Sequence, residues 1–185
     1  MEATLTTSSA AAFLAPPPSS PQKLAARYAL VDVNAHRVLK HLADAVDPGL
    51  ALMAISVVAF DLRARRAAAL VRFGVPTMLA VGCVYLVQGI DRSWLVWQRY
   101  GGDYSTHTAF ATALAVSLAM RPIWRPVIGA VWLAYLFLIV FLGFHTAADV
   151  ASAAILLGFV TALLHIGAYI VARKTNEDSQ ESCAA

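Results

Sequence analysis

Two histidines and one aspartate stand where they can do acid–base and nucleophilic work. His107 lies in "GGDYSTHTAF" (Gly101 to Phe110) and His145 in "GFHTAADVASA" (Gly143 to Ala153), each at the mouth of an apolar run, with Asp149 four residues beyond His145. On a helix that spacing stacks two side chains on one side. A carboxylate so placed accepts a hydrogen bond from one imidazole nitrogen, fixes the tautomer and leaves the other nitrogen basic. A second histidine nearby can protonate a leaving oxygen. Such a division of roles suits phosphoryl transfer through a phosphohistidine.

The elements that must position these groups read as membrane helices. After a Pro/Ser-rich leader (residues 1–22), the segment "KLAARYALVDVNAHRVLKHLADAV" spaces Leu24, Tyr28, Val31, Val38, Leu42 and Val46 by three, four or seven, with charges on the other faces. That is the pattern of an amphipathic helix, too charged to span and suited to a membrane surface or to the flank of a bundle. Five apolar runs follow: Pro48 to Leu62, Ala67 to Ile90 with a kink expected at Pro76, Thr106 to Met120, Trp124 to Phe144, and Asp149 to Ala172. The first is short against the about 20 residues that a bilayer demands, unless it extends toward its N-terminal end. The expected fold is therefore an all-α, polytopic membrane bundle of about five spans over residues 23–172, with the amphipathic helix at its start and a polar tail over 173–185.

Positive charge orients the bundle. Arg63, Arg65 and Arg66 fall between runs one and two, Arg121 and Arg125 between three and four, and Arg173 and Lys174 after five. These segments share one side, and the opposite short loops carry only Arg92 and Arg99, so the arginine-rich turns are expected in the cytoplasm. His107, His145 and Asp149 then meet at the non-cytoplasmic face. Lys23, Arg27, Arg37 and Lys40 fall outside in this arrangement, accompanied by Asp32, Asp44 and Asp47.

Composition narrows the classes. The chain has 185 residues, 59% of them hydrophobic and 14% charged, and a mean hydropathy of +0.66. Soluble domains carry about a quarter of charged residues, so an integral membrane protein is indicated. A net charge of +3 gives no footprint for nucleic acid. Cys83, inside an apolar run, and Cys183, in the tail, match neither a disulfide framework nor a zinc spacing. No metal-ligand cluster accompanies the histidines, so no metal and no cofactor are expected.

"YSTHTAFATAL" resembles the second signature of the type 2 phosphatidic acid phosphatase superfamily, Pro-Ser-Gly-His-Thr before an Ala-rich helix: Ser105, His107 and Thr108 match, and Tyr104 and Thr106 replace Pro and Gly. "HTAADV" is similar to the His-x-x-x-Asp core of the third signature, at His145 and Asp149. The resemblance covers roughly Gln88 to Gly158. It implies His145 as nucleophile, Asp149 as its partner, His107 as general acid and Ser105 as a phosphate contact, with Thr108 beside it. The substrate implied is a lipid phosphate within the membrane.

Two phosphate-binding elements of the superfamily are missing. Leu138 and Ile139 stand where the third signature has Ser-Arg, and the Lys-x6-Arg-Pro of the first is absent from "QGIDRSWLVWQRYGGDY". A phosphate dianion still needs cations, and in this loop Arg92 and Arg99 are the candidates. Both can equally be interfacial anchors beside Trp94, Trp97 and Tyr100. Asp103 can cap the third run, orient His107, or do neither. The sphingomyelin synthase branch, which transfers a phosphocholine head group between lipids, also lacks the Ser-Arg pair and has a Gly-Asp-Tyr run similar to "GGDY".

Other classes fit some of the same residues. Histidines on neighbouring helices could ligate haem in an electron carrier, although His165 lies sixteen residues past Asp149, about 24 Å along a helix. A third reading is a scaffold that keeps the signatures without the activity.

Overall fold

A computed structural model describes residues 21–184, with side-chain surroundings for residues 34–174. The expected leader lies outside the described residues apart from its last two positions, as do the side chains Leu24, Tyr28 and Val31 of the expected surface helix. The chain divides into two compact units, residues 1–38 and 39–185, and the second holds every candidate residue.

Five helices make up the described chain: α1 (Pro21–Arg63), α2 (Ala67–Trp94), α3 (Thr106–Ala119), α4 (Arg125–Phe141) and α5 (Ala147–Ala184), with single 3-10 turns at Gln98–Tyr100 and Pro122–Trp124. No strand occurs among the described residues. Asn34–Arg63, Ala67–Trp94, Pro122–Phe141 and Ala147–Lys174 are long and apolar enough to cross a membrane, and Thr106–Ala119 is a shorter apolar helix. Where sequence suggests a surface helix and a separate short first run, α1 is continuous and carries Pro48 in its interior. Proline removes one backbone donor there and does not end the helix. Pro76, likewise, is buried inside α2. The polar tail continues α5 helically to Ala184.

Helix α3 is the centre of the bundle and packs against α2, α4 and α5. Its sequence explains its place: Ala109, Ala111, Ala113 and Leu118 are fully buried, as are Thr108, Thr112 and Ser117. Small side chains let neighbouring helices approach closely, and each hydroxyl can find a partner within the bundle. Thr112 donates to the Thr108 carbonyl at 2.7 Å and accepts from the Trp132 indole at 3.0 Å, and Ser117 meets His165 at 3.0 Å. The outer faces are the reverse, with Leu52, Phe60, Met78, Phe137, Ile155 and Phe159 exposed. An apolar exterior around a small-residue core is what lipid as solvent favours.

Candidate active site at the histidine end of the bundle

The loop between α2 and α3 is fixed at several points. Leu95 takes a left-handed conformation (φ 54°) after α2, and the Asp91 carboxylate accepts the Trp97 N–H at 2.9 Å. The Trp97 indole donates to Ser152 of α5 at 2.9 Å and meets the Tyr104 ring edge-on at 4.9 Å. Tyr104 in turn donates to the Val84 carbonyl of α2 at 3.3 Å. Burial, with the Asp91 charge added, pushes this phenol above its ordinary range, so it remains a donor. Gly101 turns the chain at φ +74°, and at Gly102 an added Cβ would lie 2.5 Å from the Asp149 Oδ1. The double glycine therefore serves a positive φ at one position and a close approach at the next.

Asp149 holds this loop to the start of α5. Its Oδ1 accepts the Asp103 N–H at 2.9 Å, and its Oδ2 accepts both the N–H (3.0 Å) and the hydroxyl (2.7 Å) of Thr146. Thr146 Oγ1 accepts the Asp149 N–H at 3.2 Å, which closes a reciprocal capping box at the helix start. The hydrogen bond from His145 to Asp149 expected from their spacing is not made. Stacking at that spacing requires helix throughout, but α5 begins only at Ala147, so His145 sits in the preceding turn. The carboxylate instead satisfies amides that the helix start leaves open. It faces a separate cleft of about 350 Å³ beside Trp97 and Tyr100.

His145 and His107 do reach a common cleft. Both line one cleft of about 460 Å³, together with Lys40, Asp44 and Asp47 of α1 and Tyr135 of α4. The His107 Nδ1 lies 2.8 Å from the Asp47 Oδ2, and the imidazole is otherwise exposed, with 76% of its side-chain surface open. A carboxylate on Nδ1 favours the proton on that nitrogen and makes Nε2 the nitrogen presented outward. His145 is more enclosed, with 17% of its side chain open, and its Nδ1 stands 4.0 Å from the Asp103 carboxylate. That is an ion-pair distance, longer than a hydrogen bond.

The remaining candidates separate from this cleft. Ser105 is fully buried as the N-cap of α3; its hydroxyl donates to the Thr108 hydroxyl at 2.8 Å and accepts the Thr108 N–H at 3.4 Å. Ser105 and Thr108 thus start the helix that carries His107, and neither lines the cleft. Arg92, in the last turn of α2, and Arg99, in the α2–α3 loop, are exposed and also fall outside the lining. His165 is buried against Ser117 and Phe73, away from the other two histidines.

Comparison with known proteins found no matching family model, no matching characterised protein and no matching solved structure.

Lys40, Asp47 and Tyr135 are members of the cleft that the sequence alone does not single out. Periodicity places Lys40 and Asp47 in a surface helix and at its end, and Tyr135 in the apolar run of α4. A signal exists for the first two: positions 40, 43, 44 and 47 share one face of a helix, and that face carries Lys, Ala, Asp and Asp. Nothing in the sequence says which partner this face meets. Among the described residues, no group of three or more His, Cys, Asp or Glu is arranged to hold a metal ion.

Proposed function

We propose that the chain is an integral-membrane lipid phosphatase that cleaves a phosphomonoester or diphosphate of an amphiphilic lipid through a phosphohistidine. The observation that carries this reading is the single cleft in which His107 and His145, from separate segments, converge with Lys40 and a carboxylate on one imidazole. His145 is the nucleophile and attacks phosphorus with a ring nitrogen. A P–N bond forms as the P–O bond to the leaving group breaks, and protonated His107, held through its Nδ1 by Asp47, gives its Nε2 proton to the departing oxygen. Water then attacks the phosphohistidine, its proton returns to His107, and the P–N bond breaks to release phosphate. Lys40, the one lysine or arginine lining the cleft among the described residues, takes the place of the superfamily's missing cations. Asp149 acts as a positioning residue, since it holds the Asp103 amide and the turn that bears His145.

The same two helices offer a place for the lipid tail. Beyond the cleft, α1 and α4 line an apolar groove of about 500 Å³ through Val46, Leu50 and Met53 on one side and Val127, Ile128 and Val131 on the other. A head group at Lys40 and the histidines can leave its hydrocarbon in this groove. In the membrane, α3 serves as the fifth span, sheltered by four longer ones. The arginine-bearing turns lie in the cytoplasm and the histidine cleft outside. If a lipid hydroxyl replaces water in the second step, the same chemistry becomes head-group transfer of the sphingomyelin synthase kind.

The test is turnover of a panel of lipid phosphates by the purified protein, read as free phosphate and repeated with lipid alcohols present. The expected result is phosphate release and an acid-labile phosphoenzyme mapped to His145. A phosphoenzyme mapped to another residue, or turnover that persists in His145→Ala, overturns the reading.

A further inference from the structure

At the end of the bundle away from His107 and His145, the α1–α2 turn and the end of α3 border another cleft, of about 670 Å³. Four arginines line it, Arg65, Arg66, Arg72 and Arg121, together with the first residues of α2 and the side chains of Phe73 and Met120. A topology signal requires arginines on one side of a membrane; it does not require them to converge on one concavity. The carboxylate at hand, Asp61, is buried outside the lining and bonded to Arg121 at 2.5 Å, and the same guanidinium lies 5.3 Å over the Phe73 ring. Arg121 is thereby neutralised and fixed in place. Arg65, Arg66 and Arg72 face the cleft with no carboxylate among its lining residues.

Two further observations point to an anion. The Arg72 Nε is buried and has no hydrogen-bond partner, a donor for which the protein supplies no acceptor. Helix α2 begins without a side-chain cap on its first amides, so its N–H groups and the positive end of its dipole add to the guanidinium field at Ala67–Ala69. Guanidinium forks and open helix amides together suit a tetrahedral oxyanion.

We infer that this arginine cleft is a binding site for a phosphate-bearing anion, either the head group of an anionic phospholipid or a free phosphate compound. The inference is independent of the chemistry at the histidine end. Its position where helices capable of crossing a membrane terminate brings lipid head groups within reach, and Phe73 and Met120 supply apolar contacts beside the charges.

The experiment uses the full-length protein in mixed micelles of phosphatidylcholine and phosphatidylglycerol, with retained lipid counted by native mass spectrometry. In parallel, inorganic pyrophosphate is titrated calorimetrically. The expected result is selective retention of phosphatidylglycerol, weakened roughly tenfold by Arg65→Gln or Arg66→Gln, the scale of one charge-assisted hydrogen bond. Arg63→Gln and Lys174→Gln, which remove the same charge outside the lining, should leave retention within about twofold, as should His145→Ala. Both arginine variants are at exposed positions, so folding is expected to survive, and Arg65→Lys should restore part of the binding. Pyrophosphate binding with the same sensitivity to Arg65 and Arg66 assigns a free anion, whereas lipid retention without it assigns the head group. Equal losses in the Arg63 and Lys174 controls reduce the effect to general surface charge and overturn the inference. So do loss of retention in His145→Ala and failure of both probes to bind.

Discussion

The two ends of the bundle use cations of different kinds. At one end, two imidazoles share a cleft with one ammonium and two carboxylates, Lys40, Asp44 and Asp47. At the other, four guanidiniums line a cleft that has no carboxylate in its lining, and one of them is engaged by Asp61. Imidazole exchanges protons near neutral pH, and a carboxylate that holds one ring nitrogen decides which nitrogen it presents. Guanidinium keeps its proton at every accessible pH and offers a fixed fork of donors. The first environment suits a reaction in which protons and phosphorus move; the second suits retention of an anion that does not change. Charge count alone therefore says little about role, and the titration range of each cation says more.

Four substitutions and one treatment can break or sharpen this contrast. The largest effect is expected from His145→Ala, which should abolish both turnover and the phosphoenzyme, since the covalent intermediate is formed on that imidazole. His107→Ala should lower the rate by about a hundred- to ten-thousand-fold, the usual contribution of a general acid. A substrate with a p-nitrophenol leaving group should recover part of that loss, because its oxygen departs without a proton. Equal losses for both substrates would show that His107 acts otherwise.

A smaller effect should follow at Gly102. An added methyl would meet the Asp149 carboxylate at 2.5 Å, so Gly102→Ala must displace either that carboxylate or the loop, and with it the Asp103 amide that the carboxylate holds. Overpacking of this kind costs about 1–3 kcal/mol. A lower melting temperature in detergent should accompany a fall in rate smaller than that of His107→Ala. Lys40→Ala should act mainly on binding, raising KM by about tenfold through loss of one charge-assisted contact while kcat changes less. A kcat defect with unchanged KM would move Lys40 from substrate binding to the chemical step. Least of all, EDTA should leave the rate unchanged. Loss of activity in chelator that magnesium restores would favour metal chemistry over the phosphohistidine.

Some of this is legible in the chain before any fold is known. The apolar runs, their punctuation by arginine and glycine, and the approximate lengths of α2 and α4 come from hydropathy, because a segment that must satisfy its backbone in lipid has to be helical; hydropathy ends the last run at Ala172, while α5 continues to Ala184. The alternating direction of the runs is enough to bring His107 and His145 to one end. Sequence offers Asp103 as a candidate cap of the third run and Ser105 as a phosphate contact, whereas Ser105 is the residue that caps α3. Pro48, likewise, suggests a boundary that α1 does not have, because surrounding packing can hold a helix through a missing donor.

Tertiary structure decided the partners. Spacing by four pairs His145 with Asp149, but that rule holds only inside a helix, and His145 precedes Ala147. Asp149 went to the open amides of Thr146 and Asp103, and the imidazole that gained a carboxylate was His107, from Asp47, sixty residues away in sequence. The arginines behaved similarly: sequence put them on one side, and only packing of the α1–α2 turn against the end of α3 drew Arg65, Arg66, Arg72 and Arg121 around one cleft. Hydropathy acts along the chain and can be read from it. Hydrogen bonds and ion pairs are made across helices, and their choice depends on which faces the folded bundle turns toward each other.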